Sequence, residues 1–234
     1  MWLYHSSIGR KFVMSITGLA LVFFLLFHLA MNMTAVFSAD TYNMICSLLK
    51  ASWYVVAASI ILGALIIIHF IFAVVITLQN KKARGKDRYA INKLPKGVSW
   101  ASMNMLALGF IVCGFLLLHL WQFWSKMMFA DLTGLYEVEL NGSMVSIKDG
   151  YAFVSDYFSR LWVVIAYLAW YVALWFHLTH GIWSAFQSIG WNNHIWFGRL
   201  KVISHIVATL ILSGFALVTL TFYVRSLSGG SACC

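Results

Sequence analysis

Apolar residues run through this chain in five long blocks, at about residues 12–37, 53–78, 98–124, 161–186 and 202–224, with the charged residues gathered between them. None of the blocks keeps the strict alternation that marks a half-buried strand. Crossing a hydrocarbon core of about 30 Å takes about 20 apolar residues in a helix, and every block meets that length. Inside lipid the backbone must satisfy its own hydrogen bonds, which leaves α-helices or a closed barrel. Barrel strands are about ten residues long and alternate, unlike these blocks. The pattern therefore predicts an all-α integral membrane bundle, one domain over 1–234, with five transmembrane helices. Blocks longer than the minimum imply tilted spans or ends that project beyond the bilayer.

Composition sharpens this picture. Of the 234 residues 62% are hydrophobic and only 10% charged, with a single proline, where a soluble domain carries about a quarter charged residues. The first block is too long for the apolar core of a signal peptide and no small-residue cleavage site follows it, so it is expected to remain as a span. Cys46, Cys113, Cys233 and Cys234 show neither metal-ligand spacing nor a disulfide framework. The closing "SGGSACC" reads as a flexible tail.

Charge gives an orientation. Arg10, Lys11, Lys81, Lys82, Arg84, Lys86, Arg88, Lys93, Lys96, Arg199 and Lys201 all fall on the side of the N-terminus, eleven of the sixteen basic residues, while six of the seven acidic residues fall on the other. By the positive-inside rule the N-terminus is expected in the cytoplasm and the C-terminus outside. The net charge of +9 then belongs mostly to one face, suited to anionic membrane lipid or to a soluble protein partner. Nucleic acid is not expected there, since the basic residues hug the ends of the spans.

Two connecting segments are long enough to hold structure. One is the basic "QNKKARGKDRYAINKLPKG" at 79–97. The other is the acidic stretch 126–160, where alternation around Asn141-Gly142 in "YEVELNGSMVSI" predicts a hairpin. No internal repeat of 20 to 50 residues is visible, which argues against solenoids and inverted-repeat transporters.

No Asp, Glu, Lys or Arg lies deep in any block, so the interior groups that titrate near neutral pH are histidines: His28, His69, His119, and His177 or His180. One buried histidine is ordinarily a hydrogen-bonded core residue, but four in four spans each carry a desolvation cost that demands a partner. Depth sorts them. At 1.5 Å per residue, His28 and His119 fall roughly 10 to 18 Å below the outer surface, and His69 and His177 roughly 15 to 20 Å from the cytoplasmic one. Two imidazoles facing each other across helices are the axial ligands of a b-type haem, so two pairs imply two haems. Covalent attachment is excluded because no C-x-x-C-H occurs. Zinc or copper would want further thiolate or carboxylate ligands at that depth. Between His177 and His180, about 60° apart on the helix, Gly181 favours His177. It stands four residues on along the same face, where a missing side chain lets a porphyrin lie against the backbone. His180 is then a group for a haem propionate or a neighbouring helix, or the alternative ligand.

Over essentially its whole length the chain resembles the dihaem cytochrome b anchor of succinate:quinone oxidoreductases, the five-helix single-subunit type of bacterial succinate dehydrogenases and fumarate reductases. The resemblance is carried by "SSIGRKFVMSITG", "FHLAMN" around His28, "IIHF" around His69, "LLLHLWQ" around His119 and "HLTHGIW" at His177, an H-x-x-x-G-[ILV]-[WY] pattern. It implies His28 with His119 as iron ligands of the distal haem, and His69 with His177 as those of the proximal one. It also implies an iron-sulphur subunit docked on the basic face, a flavoprotein beyond it, a quinone (menaquinone in many members) as substrate, and the bacterial cytoplasmic membrane as location. Some members carry a proton-relaying glutamate two residues before the fourth-span histidine; this chain has Trp175 there, and a proton route through that position is not expected. Asp40 is the candidate for an acidic quinone-site residue. Two rival readings are the cytochrome b subunit of a membrane hydrogenase or formate dehydrogenase, against which the fifth span counts, and a haem-free histidine-containing transporter, against which the lack of buried carboxylates counts.

Overall fold

A computed structural model describes residues 6–49, 52–83, 99–191 and 193–229. Among the described residues the fold is all-α apart from one small hairpin. Its elements are α1 (Ser7–Phe37), α2 (Ala39–Leu48), α3 (Trp53–Ala83), α4 (Trp100–Met103), α5 (Met105–Leu132), β1 (Glu137–Leu140), β2 (Ser143–Ser146), α6 (Gly150–Phe158), α7 (Leu161–Ile189) and α8 (His194–Leu227). Helices α1, α3, α5, α7 and α8 are each long and apolar enough to cross a membrane. Most of their ends outrun the apolar blocks because polar and aromatic residues there continue the helical hydrogen bonding, most widely at the start of α8 and the end of α5. The exception is the start of α5 at Met105, inside the expected block 98–124, because Trp100–Met103 form a separate short helix capped by Ser99. The segment 84–98 of the basic loop, and Cys233 and Cys234 of the tail, lie outside the described residues.

Large apolar side chains point outward from these helices: Phe23 is 76% exposed, Trp53 83% and Ile60 67%, and α3 has no buried residue. Such a surface is stable in hydrocarbon and not in water. Helix α5 changes its winding immediately after His119. Residues Leu120–Phe129 form a π-helix, whose i→i+5 hydrogen bonds widen the coil and occur disproportionately at functional sites.

The chain divides into two compact units. The first comprises residues 1–24, 61–110 and 174–209; the second comprises 25–60, 111–173 and 210–234. In the first, Gly190 leaves α7 with φ 102°, a conformation that suits glycine. Asn193 then starts α8, its Oδ1 accepting from the amides of Ile195 and Trp196 at 3.0 and 2.9 Å. Aromatic side chains fill this unit in edge-to-face contacts such as Phe70 with Phe110 and Trp183 with Phe197.

The second unit is tied by polar contacts as well as by apolar packing. Asp149 caps α6 by accepting from the Ala152 amide at 3.0 Å and also accepts from Asn43 Nδ2 of α2 at 2.8 Å. Asn43 Oδ1 in turn accepts from the Tyr151 amide at 2.9 Å. Arg225 of α8 donates to the Val36 carbonyl at 2.7 Å and to the Tyr151 hydroxyl at 3.3 Å, which occupies one of the free carbonyls at the end of α1. The hairpin pairs Glu137 with Ser146 and Leu140 with Ser143. Asn141 and Gly142 have φ of 53° and 85°, the pair of positive φ values of a type I′ turn. Val138 and Leu140 are buried while Glu137 and Glu139 are exposed, so the alternation seen in the sequence has a physical basis.

Gly150, the first residue of α6, has no room for a side chain. A Cβ there would collide with Cys46 Sγ and stand 3.1 and 3.2 Å from Tyr42 and Met127. Gly150→Ala is expected to cost about 1–3 kcal/mol through overpacking, read as a lower thermal midpoint in detergent. Burial pushes the Cys46 thiol up to about 11. Since the thiolate is the nucleophile, only about one thiol in a thousand is reactive at pH 8. In a chain whose other three cysteines are serine, alkylation of Cys46 should be slow at pH 8 and accelerate tenfold per pH step up to about 11. A rate at pH 8 matching that of a free thiol would contradict the burial.

Candidate functional site

The histidines of the apolar blocks come together as two pairs, one in each unit. In the first unit His69 of α3 faces His177 of α7, with ring centroids 6.3 Å apart and planes at 64°. In the second, His28 of α1 faces His119 of α5, centroids 5.8 Å apart and planes at 88°. Among the described residues, no cluster of three or more His, Cys, Asp or Glu side chains is close enough to hold a metal ion.

Each ring is held by its own neighbours. Thr17 Oγ1 lies 3.1 Å from His69 Nδ1, and the adjacent Gly18 lets α1 approach the same ring. A Cβ at Gly18 would stand 3.1 Å from His69 Cε1, tighter than carbon atoms ordinarily pack. Gly109 has a similar but looser relation to His177, whose Cε1 would be 3.8 Å from an added Cβ. In the second unit the Tyr167 hydroxyl lies 3.3 Å from His119 Nδ1 and donates to Gln122 Oε1 at 2.7 Å. Gln122, inside the π-helical stretch, is 3% exposed. Asn32, one turn beyond His28, donates to the His28 carbonyl at 2.8 Å and accepts from the Tyr42 hydroxyl at 3.3 Å. Aromatic rings close around this pair: Phe215 is 5.7 Å from His28, and Phe123 and Trp170 are 5.2 and 5.8 Å from His119.

Two imidazole nitrogens are left over. Nδ1 of His177 and Nδ1 of His180 are both buried without a hydrogen-bond partner, a state that costs about 1–3 kcal/mol for a neutral polar group. His180 does not join a histidine pair. Its ring stands edge-on to Trp183 at 5.1 Å, and the Lys201 ammonium covers the Trp183 ring at 4.9 Å and Phe197 at 4.3 Å. Gly181 fronts Met105, whose Cε would be 3.5 Å from an added Cβ, an ordinary contact. Trp175 donates its indole proton to Thr209 Oγ1 at 2.9 Å and stacks edge-on to His205, and an indole offers no acceptor for a relayed proton. Asp40 stands in the first turn of α2 and lines an open cleft of about 510 Å³ with Asn43, Met44, Ser47, Ser146, Lys148 and Asp149.

The paired rings can be tested against a shared metal. A metal ion sits about 2.0–2.1 Å from an imidazole nitrogen, and the ring centre lies about 1.1 Å behind that nitrogen. Two rings on opposite sides of one ion therefore have centroids about 6.2 Å apart. The two observed separations, 5.8 and 6.3 Å, lie on either side of that value. The residues present thus fit axial ligation by two imidazoles, with apolar and aromatic surroundings of the kind that hold a porphyrin.

Thr17, Gly18, Gln122 and Tyr167 were not among the residues singled out from the sequence. A signal for Gln122 and Asn32 exists there: they follow His119 and His28 by three and four residues, on the same helical face. Nothing local points to Thr17 or Tyr167, which lie far from their histidines along the chain. No protein-family model, curated protein or solved structure matches this chain. Fold and composition define the class: a multi-pass α-helical membrane protein with five apolar helices.

Gly18→Ala is expected to displace the His69 ring by a few tenths of an ångström and so to weaken a metalloporphyrin wherever the His69–His177 pair binds one, which haem reconstitution would read. Gly63→Ala on α3 is its control, because nothing lies within 4 Å of an added Cβ there. Equal porphyrin content in the two variants would remove Gly18 from the site.

Proposed function

We propose that this chain is the dihaem cytochrome b anchor of a succinate dehydrogenase or fumarate reductase complex in a bacterial cytoplasmic membrane. Its role is to carry electrons between an iron-sulphur subunit, with a flavoprotein beyond it, and a membrane quinone such as menaquinone. The observation that carries this reading is the pairing of four histidines from four different apolar helices at separations suited to two imidazoles on one iron. The motifs around those histidines, in the same order as in the family, supply the choice of complex. The basic residues that border the spans supply the surface for the soluble subunits, with the N-terminus on the cytoplasmic side.

A b haem, when bound, supplies reversible one-electron chemistry. The chain's own contribution is to hold, orient and exclude water. His28 with His119, and His69 with His177, would hold the two haem irons. Thr17 and Tyr167 orient His69 and His119. Phe123, Trp170 and Phe215 keep water from the second pair, and Gly18 admits the first helix close to the first pair. His180 and the Lys201 ammonium nearby suit a carboxylate, such as a propionate, at the edge of the first pair. Trp175, hydrogen-bonded to Thr209, holds its place without moving a proton.

A dithionite-reduced minus oxidised spectrum of the purified chain, with haem counted per polypeptide, tests the reading. Two b haems per chain are expected. His177→Ala should lose one of them while His180→Ala keeps both. Retention of both haems in His177→Ala, with loss in His180→Ala, would exchange the two roles. A folded, colourless protein would end the electron-transfer reading and leave the paired histidines to a transport function.

A further inference from the structure

One histidine of each pair has a hydroxyl oxygen at its Nδ1: His69 has Thr17 and His119 has Tyr167. In both cases the hydroxyl proton is engaged elsewhere. Thr17 Oγ1 lies 2.9 Å from the Val13 carbonyl and 3.0 Å from the Met14 carbonyl, and carbonyls only accept. Tyr167 gives its one proton to Gln122 Oε1 in a bond of 2.7 Å. Each oxygen therefore has a lone pair, and no proton, left for the imidazole.

We infer that Thr17 and Tyr167 are tautomer locks: each accepts the Nδ1 proton of its histidine, which frees Nε2 of His69 and of His119 to ligate iron. The inference rests on the haem reading given above and goes beyond it by naming what sets the ligands' electronic state. A neutral imidazole has one donor and one acceptor nitrogen, and the bond made by one decides the role of the other. A hydrogen bond accepted from the distal nitrogen also raises ligand basicity, which favours the ferric state. In the first unit the partner ring differs, since His177 Nδ1 has no hydrogen-bond partner. An iron held there would thus have one strongly and one weakly donating imidazole. The locked rings sit on α3 in the first unit and α5 in the second.

The test is an optical redox titration of the full chain purified with its haems. Thr17→Val and Tyr167→Phe remove the acceptor oxygen and nearly preserve shape, and Thr17→Ser restores it. Thr17→Val should raise the midpoint potential of one haem and Tyr167→Phe that of the other. Each rise is a shift of roughly tenfold in the ferric-to-ferrous equilibrium, about 59 mV for one electron. Thr17→Ser should titrate like the unaltered chain. Loss of one haem in Thr17→Val with its retention in Thr17→Ser also supports the lock, because serine keeps the oxygen and omits only the methyl group. Haem-replete variants with unshifted potentials would overturn the lock and leave the haem reading standing. Absence of haem from the unaltered chain would overturn both.

Discussion

An imidazole placed deep in a hydrocarbon-spanning helix gives up its bonds to water, and the apolar blocks contain no carboxylate, ammonium or guanidinium to replace them. Every histidine deep in the apolar blocks must therefore be satisfied by another ring, a hydroxyl, an amide or a bound group. The arrangement around each pair follows from that requirement. Thr17 and Tyr167 reach across from other helices to His69 and His119. Gln122 is buried because Tyr167 needs an acceptor for its proton. Where no partner is supplied, at Nδ1 of His177 and of His180, the protein carries an uncompensated cost, and such sites are where a ligand has most to offer.

The remaining architecture serves to bring helices within ring distance of one another without filling the space around the rings. Glycine at 18 does this for α1 against His69, since even one added carbon would be tight. The second unit uses larger pieces. Phe123, Trp170 and Phe215 surround its pair, and the change to π-helical winding starts at the residue after His119. The same unit carries the polar lattice of Asn43, Asp149, Tyr151 and Arg225, which fastens α2, α6 and the ends of α1 and α8 through backbone groups that would otherwise be unsatisfied.

Much of this was legible along the chain, for reasons that differ by feature. The five helices were readable because a hydrocarbon solvent tolerates only one local solution for a block such as 53–78, whatever its neighbours do. The turn at Asn141-Gly142 was readable because its positive φ values admit few residues. Histidine partners could be sorted by depth, since rise per residue in a helix is nearly constant. Rotation about the helix axis is far less constrained by sequence. Gly18 and Gly109, which the sequence reading did not single out, front the rings of His69 and His177.

By itself the sequence determined what depends on local chain chemistry: helix against strand, the spans and their approximate ends, the hairpin turn, and the place of each histidine along its helix. Tertiary structure alone decided which polar side chains meet those histidines from other helices. Thr17 is 52 residues from His69 and Tyr167 is 48 from His119. Contacts of that kind depend on how helices rotate and cross, and on the π-helical winding that follows His119 in α5. No periodicity encodes them, because in lipid the outward apolar faces are nearly equivalent and only packing between helices selects which face turns inward.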